Sequence, residues 1–246
     1  MGRYERAWNR VEYYRRRCLP TLVSDNGVQP MISFTIVELR AGRTGPLGDK
    51  GHVSAIDKQL TNGLVHVGPE GLEGDDQADR RHHGGRDKAL HAYPLTHYPS
   101  WAAELPQQAD RFVPGGFGEN FVVDGITEQD LCLGDRFQIG LVLVELSQSR
   151  QPCWKLNLRF NRPDMARRVQ STGRTGWYFR VLRTGEIQAG CTAELVDRPN
   201  PDWSLTRVAD LLYQSTNDSE ALAEFARLPG LPDNWRRLVE RRLHSK

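Results

Sequence analysis

The hydrophobic pattern of this 246-residue chain changes its prevailing period at Pro199-Asn200-Pro201, and that change limits the folds open to it. Before it, the apolar residues gather in short runs that are β-branched or alternate with polar residues, and Gly, Pro, Asn or Asp ends each run. After it the spacing becomes helical, and three amphipathic helices are predicted over 204–213, 219–228 and 232–245. Their apolar sets are Leu205, Val208 and Leu212; Leu222, Phe225 and Ala226; and Trp235, Leu238, Val239 and Leu243. Ser204 and Ser219 suit the N-cap positions. The reading is therefore α+β: a mostly β body with helices over 31–198, followed by a small C-terminal three-helix subdomain over 199–246.

The chain holds 38% hydrophobic and 26% charged residues, ordinary for a globular protein, and no apolar run reaches the roughly 18 residues that cross a bilayer. Neither a membrane span nor a signal-peptide core is expected, which makes the cytoplasm the default location. Four widely spaced cysteines (Cys18, Cys132, Cys153 and Cys191) argue against a disulfide framework or a zinc knuckle. The formal charge of +2 divides unevenly, because residues 1–30 carry six arginines against three acids and leave the body near neutral. Nothing in that balance points to nucleic acid, even with Arg236, Arg237, Arg241 and Arg242 near the end, since Glu220, Glu224 and Glu240 interrupt them. Residues 1–30 read as a non-catalytic extension, helical over 4–17 or disordered, with Met31 a second candidate start.

Along the body, strands are expected at 32–39, 53–56, 64–67, 90–93, 141–146, 177–182 and 191–196, and a hairpin or strand entry around Gly134-Asp135. A helix over 94–105 has Pro94 in its first turn and Pro99 as a kink or its true start. Tyr98 and Trp101 share one face of it and read as core. A second helix over 156–170 is interrupted at Pro163. Cys132 and Cys191 read as structural.

Two polar segments do not look like packing elements. One runs from Gly71 to Asp79; the other reads His82-His83-Gly84-Gly85-Arg86-Asp87-Lys88. Glycine admits close approach of a ligand to backbone amides, and Arg86 and Lys88 are suited to a phosphate or carboxylate, so an anionic ligand is expected here. The adjacent histidines lack a third partner at zinc spacing. Glu119 and Asn120 sit where a glycine loop becomes a strand, a usual place for ligand contacts. Cys153 follows the buried strand 141–146, with Pro152 before it and Arg150 nearby, a stiff and positive setting that suits a thiolate; a buried structural thiol is the alternative. Arg180 alternates with apolar residues and projects to the opposite sheet face, either solvated or meeting an anion.

Taken in order, Gly-Leu-Glu-Gly-Asp at 71–75, His-Gly-Gly-x-Asp-x-Ala-Leu at 83–90 and Phe-Gly-Glu-Asn-Phe at 117–121 form a recognisable series. Gly134-Asp135, Ser-Gln-x-Arg-x-Pro-Cys-x-Lys-Leu at 147–156 and Thr-Gly-x-x-Gly-Trp at 172–177 complete it. The series resembles the MOSC domain superfamily, named for the C-terminal domain of molybdenum cofactor sulfurase, and within it the YiiM-type members that end in three helices. Phe121 departs from the aliphatic residue commoner there, and residues 1–30 have no counterpart.

The resemblance implies a β-barrel core and a molybdenum cofactor (Mo-molybdopterin) bound through Cys153. It implies reduction of N-hydroxylated compounds such as hydroxylaminopurines, with electrons from a separate reductase of flavoprotein or ferredoxin type. In that picture His83, Gly84, Gly85, Arg86 and Lys88 cradle pterin and phosphate, while Asn120, Arg150 and Arg180 complete the anion site. Glu119 handles the proton, unless it serves to order its loop. The alternative is a carrier of the cofactor or of persulfide sulfur without turnover. A monomer or homodimer is expected.

Overall fold

The computed structural model describes residues 32–48, 51–78, 84–213 and 218–244. The expected N-terminal extension lies outside the described residues, as do His82 and His83. The described elements begin with β1 (Ser33–Ala41), β2 (Gly45–Leu47), β3 (His52–Ser54), β4 (Gln59–Leu60), β5 (Val65–Gly68) and β6 (Gly71–Leu72). They continue through β7 (Leu90–Pro94), α1 (His97–Glu104), β8 (Phe121–Asp124), β9 (Arg136–Ile139) and β10 (Val142–Ser149). Then follow α2 (Lys155–Arg159), α3 (Met165–Thr172), β11 (Trp177–Arg183), β12 (Gly185–Ile187) and β13 (Thr192–Asp197). The last are α4 (Leu205–Tyr213), α5 (Ser219–Ala226) and α6 (Asp233–His244).

Seven strands close into a barrel, because β1 pairs with β8 on one side and with β13 on the other. The order around it is β1, β13, β9, β10, β11, β7, β8. Closure leaves no open sheet edge among these seven. Phe34, Phe137, Trp177 and Phe179 meet inside it, with Phe34 and Phe137 centroids 5.1 Å apart. A register shift between Ile36 and Glu38 turns Val37 out of that core into a second apolar cluster.

One barrel pairing is parallel, β7 with β8, and a parallel pair needs a long crossover. The stretch between them supplies α1 and a 3-10 turn at Pro106–Arg111. Tyr93, Tyr98, Trp101, Phe112 and Phe117 pack beneath the crossover as the second cluster, which bears out Tyr98 and Trp101 as core. The helix starts at His97, so Pro99 lies in its first turn, where proline is tolerated, and no kink arises.

Two further elements differ from the sequence expectation. The strand expected over 141–146 runs on to Ser149, because Gln148 and Ser149 keep pairing with Tyr178 and Trp177. The helix around Pro163 is two helices, α2 and α3, with Asn161 at φ 49° between them.

The three helices dock on the barrel and share its core, since Phe225, Trp235 and Val239 belong to the same apolar cluster as Phe34 and Trp177. Their connection is pinned by Asp135, which is fully buried and takes Arg198 in a two-toothed grip at 2.8 and 2.7 Å. Gly134 makes this turn at φ +86°, and a Cβ there would lie 2.9 Å from the Asn200 side chain. The Gly-Asp pair thus joins barrel to helices.

Candidate functional site

A cleft of about 90 Å³ opens beside the end of β10, and Cys153 lies on its wall, half-buried. Chain direction places the thiol there: β10 ends at Ser149, and α2 starts two residues after the cysteine. Arg150, between them, also lines the cleft and is 6% exposed. Its backbone N–H donates to the Gly176 carbonyl at 3.0 Å, but its Nη1 has no hydrogen-bond partner.

His91, the second residue of buried β7, faces the same cleft at 4% exposure, and its Nε2 is likewise unpartnered. Burial, reinforced by the Arg150 charge, holds this imidazole well below its ordinary pKa and so neutral. Tyr178 stands 5.2 Å from the His91 ring, centroid to centroid. Its hydroxyl is pushed up by burial, with the Arg150 charge acting against it. Gly176 lets these groups approach: its φ is +68°, and a Cβ would collide with the Ala92 carbonyl and come within 2.8 Å of His91 Nε2.

The opposite wall is tied together. Lys58 Nζ pairs with Asp75 Oδ1, and both side chains are buried. Asp75 also accepts from Gly42 N at 2.8 Å and from Asn120 Nδ2 at 2.9 Å. Asn120 uses its remaining capacity on Arg40 O and His91 N, at 3.1 and 3.0 Å. Lys88 and Lys155 also line the cleft. At its rim Trp154 is largely exposed and meets His52 edge-on at 4.7 Å.

Of the expected site residues, Cys153, Arg150, Asn120 and Lys88 are brought together here. Asn120 reaches the cleft with its hydrogen-bonding capacity committed, so it acts as a strut. Gly84, Gly85 and Arg86 belong to the loop that carries Lys88 but do not line the cleft. The Gly85 amide donates to Gln77 Oε1 at 3.0 Å, and Arg86 is exposed. His83 lies outside the described residues.

Glu119 and Arg180 take the second of the roles open to them. Glu119 has no exposure and does not line the cleft: it accepts from Gly115 N, from Tyr98 Oη and, at 3.0 Å, from Phe117 N, which orders its loop. Burial raises its pKa, and these donors oppose that rise. The geometry is that of a carboxylate folding its own glycine loop. Arg180 likewise meets protein carboxylates, Asp87 at 2.9 Å and Glu145 at 3.3 Å, and donates to Gly230 O at 2.7 Å. Its Nε has no partner, but Arg180 does not line the cleft, so it stands one step from any ligand there.

Sequence reasoning missed His91, Lys58 and Tyr178. The signal for His91 was present, a histidine in the apolar run Leu90 to Tyr93 with an unfilled ring nitrogen as the consequence. Lys58 offered no such signal.

A closed seven-stranded barrel with a thiol on a cationic cleft and three docked helices defines a class, and comparison with known proteins identifies it. The MOSC domain description matches residues 79–194, and the YiiM-like, 3-alpha helix domain description matches residues 203–246. Protein YiiM of Escherichia coli (strain K12) is 39% identical over 193 residues, spanning 78% of this chain and 86% of that protein. A protein named Reductase from Gibberella moniliformis is 39% identical over 213 residues, 85% of this chain but 37% of that longer protein. The crystal structure of YiiM from Geobacillus stearothermophilus superposes with a TM-score of 0.72 at 33% identity, covering 85% of this chain and 99% of that one. The chain belongs to the MOSC domain family, in its YiiM-like branch.

Among the described residues, no three His, Cys, Asp or Glu side chains cluster so as to hold a metal ion. A metal held at Cys153 would draw further ligands from a bound cofactor or from residues outside the described ones. The donor set suits such a group: a thiol for a soft metal, and a buried arginine with an unfilled Nη1 for an anionic one. Among the described residues, no helix is long and apolar enough to cross a membrane.

Proposed function

We propose that this protein is a molybdenum-cofactor-dependent reductase of N-hydroxylated compounds, supplied with electrons by a separate reductase. The observation that carries the reading is the pairing of Cys153 with the unfilled Arg150 Nη1 and His91 Nε2 on one cleft. Burying a guanidinium nitrogen without a partner is costly, so these atoms call for an anionic or oxygen-bearing guest. Family membership supports the choice of cofactor, and a relative named Reductase supports the reaction class.

Cys153 Sγ would ligate the molybdenum, while Arg150 and Lys88 would hold anionic parts of the pterin. When bound, the cofactor supplies the two-electron chemistry by which an N–OH group takes up two electrons and two protons to give N–H and water. The chain's own contribution is then binding and orientation. Arg150 Nη1 offers a donor to an oxygen, and the neutral His91 ring adds a polar atom without a second positive charge. Asn120, Asp75 and Lys58 keep the facing wall rigid.

The test is elemental analysis and turnover on protein purified from a host that makes the cofactor. Near-stoichiometric molybdenum and reduction of an N-hydroxylated aminopurine, both lost in Cys153→Ser, are the expected result. Molybdenum retained by Cys153→Ser would overturn the ligand assignment. Bound molybdenum without reduction by any donor protein would favour the carrier.

A further inference from the structure

The three C-terminal helices touch both sides of the Cys153 cleft. On the cysteine side, Tyr213 Oη at the end of α4 accepts from Gln151 Nε2 at 3.0 Å, two residues before Cys153. Nearby, Asn234 Nδ2 at the start of α6 donates to Gln148 Oε1 at 3.1 Å, and Gln148 is itself buried within β10. On the loop side, the Gly230 carbonyl between α5 and α6 accepts from Arg180 Nη2 at 2.7 Å. Arg180 in turn holds Asp87, in the 3-10 turn that carries Lys88 to the cleft. Ser147 Oγ, on β10, donates to the Tyr178 carbonyl at 3.1 Å and also to the Asp87 carbonyl, which closes the circuit.

We propose that the helical unit is the positioning frame of the cleft, with Tyr213, Asn234 and Arg180 as positioning residues that hold the Cys153 segment and the Lys88 turn at a fixed separation. The physical need is plain from the local chain. Residues 150–154 form neither helix nor strand, so the segment carrying the thiol has few backbone bonds of its own. A ligand spanning from Cys153 to Lys88 binds well only if both are held in place beforehand. Apolar packing and the Asp135–Arg198 pair dock the helices on the barrel; these further polar contacts add the register between them and the two walls. Arg180, predicted from sequence as a ligand contact, thereby acts one step removed from the ligand.

The inference rests on Cys153 being the working group of the cleft, but its test does not require bound cofactor or turnover. The alkylation rate of each cysteine by iodoacetamide is measured, peptide by peptide, in the full-length protein without cofactor. Tyr213→Phe and Arg180→Gln are expected to change the Cys153 rate by roughly three- to tenfold, as loss of one ordering hydrogen bond implies, and to leave Cys132 and Cys191 unchanged. Asn234→Ala, at an exposed position, provides a variant whose folding is secure. Arg207→Ala is the control. Arg207 stacks 4.0 Å from the Trp203 ring and pairs with Glu224, so its loss removes surface contacts within the helical unit and leaves those to the cleft walls in place. An unaltered Cys153 rate in all three variants, or an equal change in the Arg207→Ala control, would overturn the proposal. Failure of the reductase reading, by contrast, would show as absent molybdenum or turnover with the alkylation pattern intact.

Discussion

The glycine loop that ends at Glu119 and the cleft wall that runs from Arg150 to Cys153 are both polar segments folded against apolar cores, yet they are completed in opposite ways. Around Glu119 both carboxylate oxygens are filled from within, by two backbone amides and a tyrosine hydroxyl. Around Arg150 the protein buries a guanidinium and an imidazole and leaves a nitrogen of each unfilled. Buried polar atoms are nearly always satisfied, so the second pattern marks a place where something else completes the structure. Burial and charge alone do not separate the two regions; the state of the hydrogen bonds does.

That contrast can be broken by mutation. Glu119→Ala should carry the largest penalty, about 3 kcal/mol, because it strands the amides of Gly115 and Phe117 and the Tyr98 hydroxyl in an apolar cluster. Chemical denaturation measures it, and a loss below about 1 kcal/mol would deny the loop-folding role. Arg150→Met should cost far less. Among the described residues its side chain gives up one hydrogen bond to Tyr178 and relieves an unfilled buried nitrogen, so the variant should stay within about 1 kcal/mol of the parent while failing to retain molybdenum. A strongly destabilised Arg150→Met would put Arg150 in the same class as Glu119.

The smallest expected effect concerns pH. His91 is neutral in the fold and binds a proton more readily when the chain unfolds, because burial and Arg150 depress its pKa. The unfolded state therefore binds more protons at acid pH, and stability should fall as pH drops below about 6.5, by at most about 1.4 kcal/mol per pH unit from this group. The groups around it are Arg150, Lys58, Tyr93, Tyr178 and the backbone of Gly118 and Thr175. In His91→Asn the acid-side fall between pH 7 and 5 should be shallower than in the parent. Parallel curves would mean that His91 is not held neutral.

Much of the fold was legible because its signals are local. The change of period at Pro199 marked where the helices begin, and the alternation in residues 32–39 marked β1. The Gly-Asp pair at 134 and 135 marked a turn, although its bond to Arg198 was not foreseeable, since the partners are 63 positions apart. The site was legible in part. Cys153, Arg150, Lys88 and Asn120 line one cleft, whereas Glu119 and Arg180 lie outside it and bond to the protein itself.

The sequence by itself determined the α+β composition, the helical tail and the candidate status of Cys153, since periodicity, turn chemistry and motif order are properties of neighbouring residues. Only the tertiary structure decided which polar side chains face the cleft and which are already satisfied. That depends on long-range strand pairing, which sets β7 beside β11 and β11 beside β10 and so brings His91 and Tyr178 to the Cys153 strand end. A carboxylate and an arginine look alike in sequence whether their partner is a ligand or the protein's own backbone. The hydrogen bonds that tell them apart form between residues the chain brings together only when it folds.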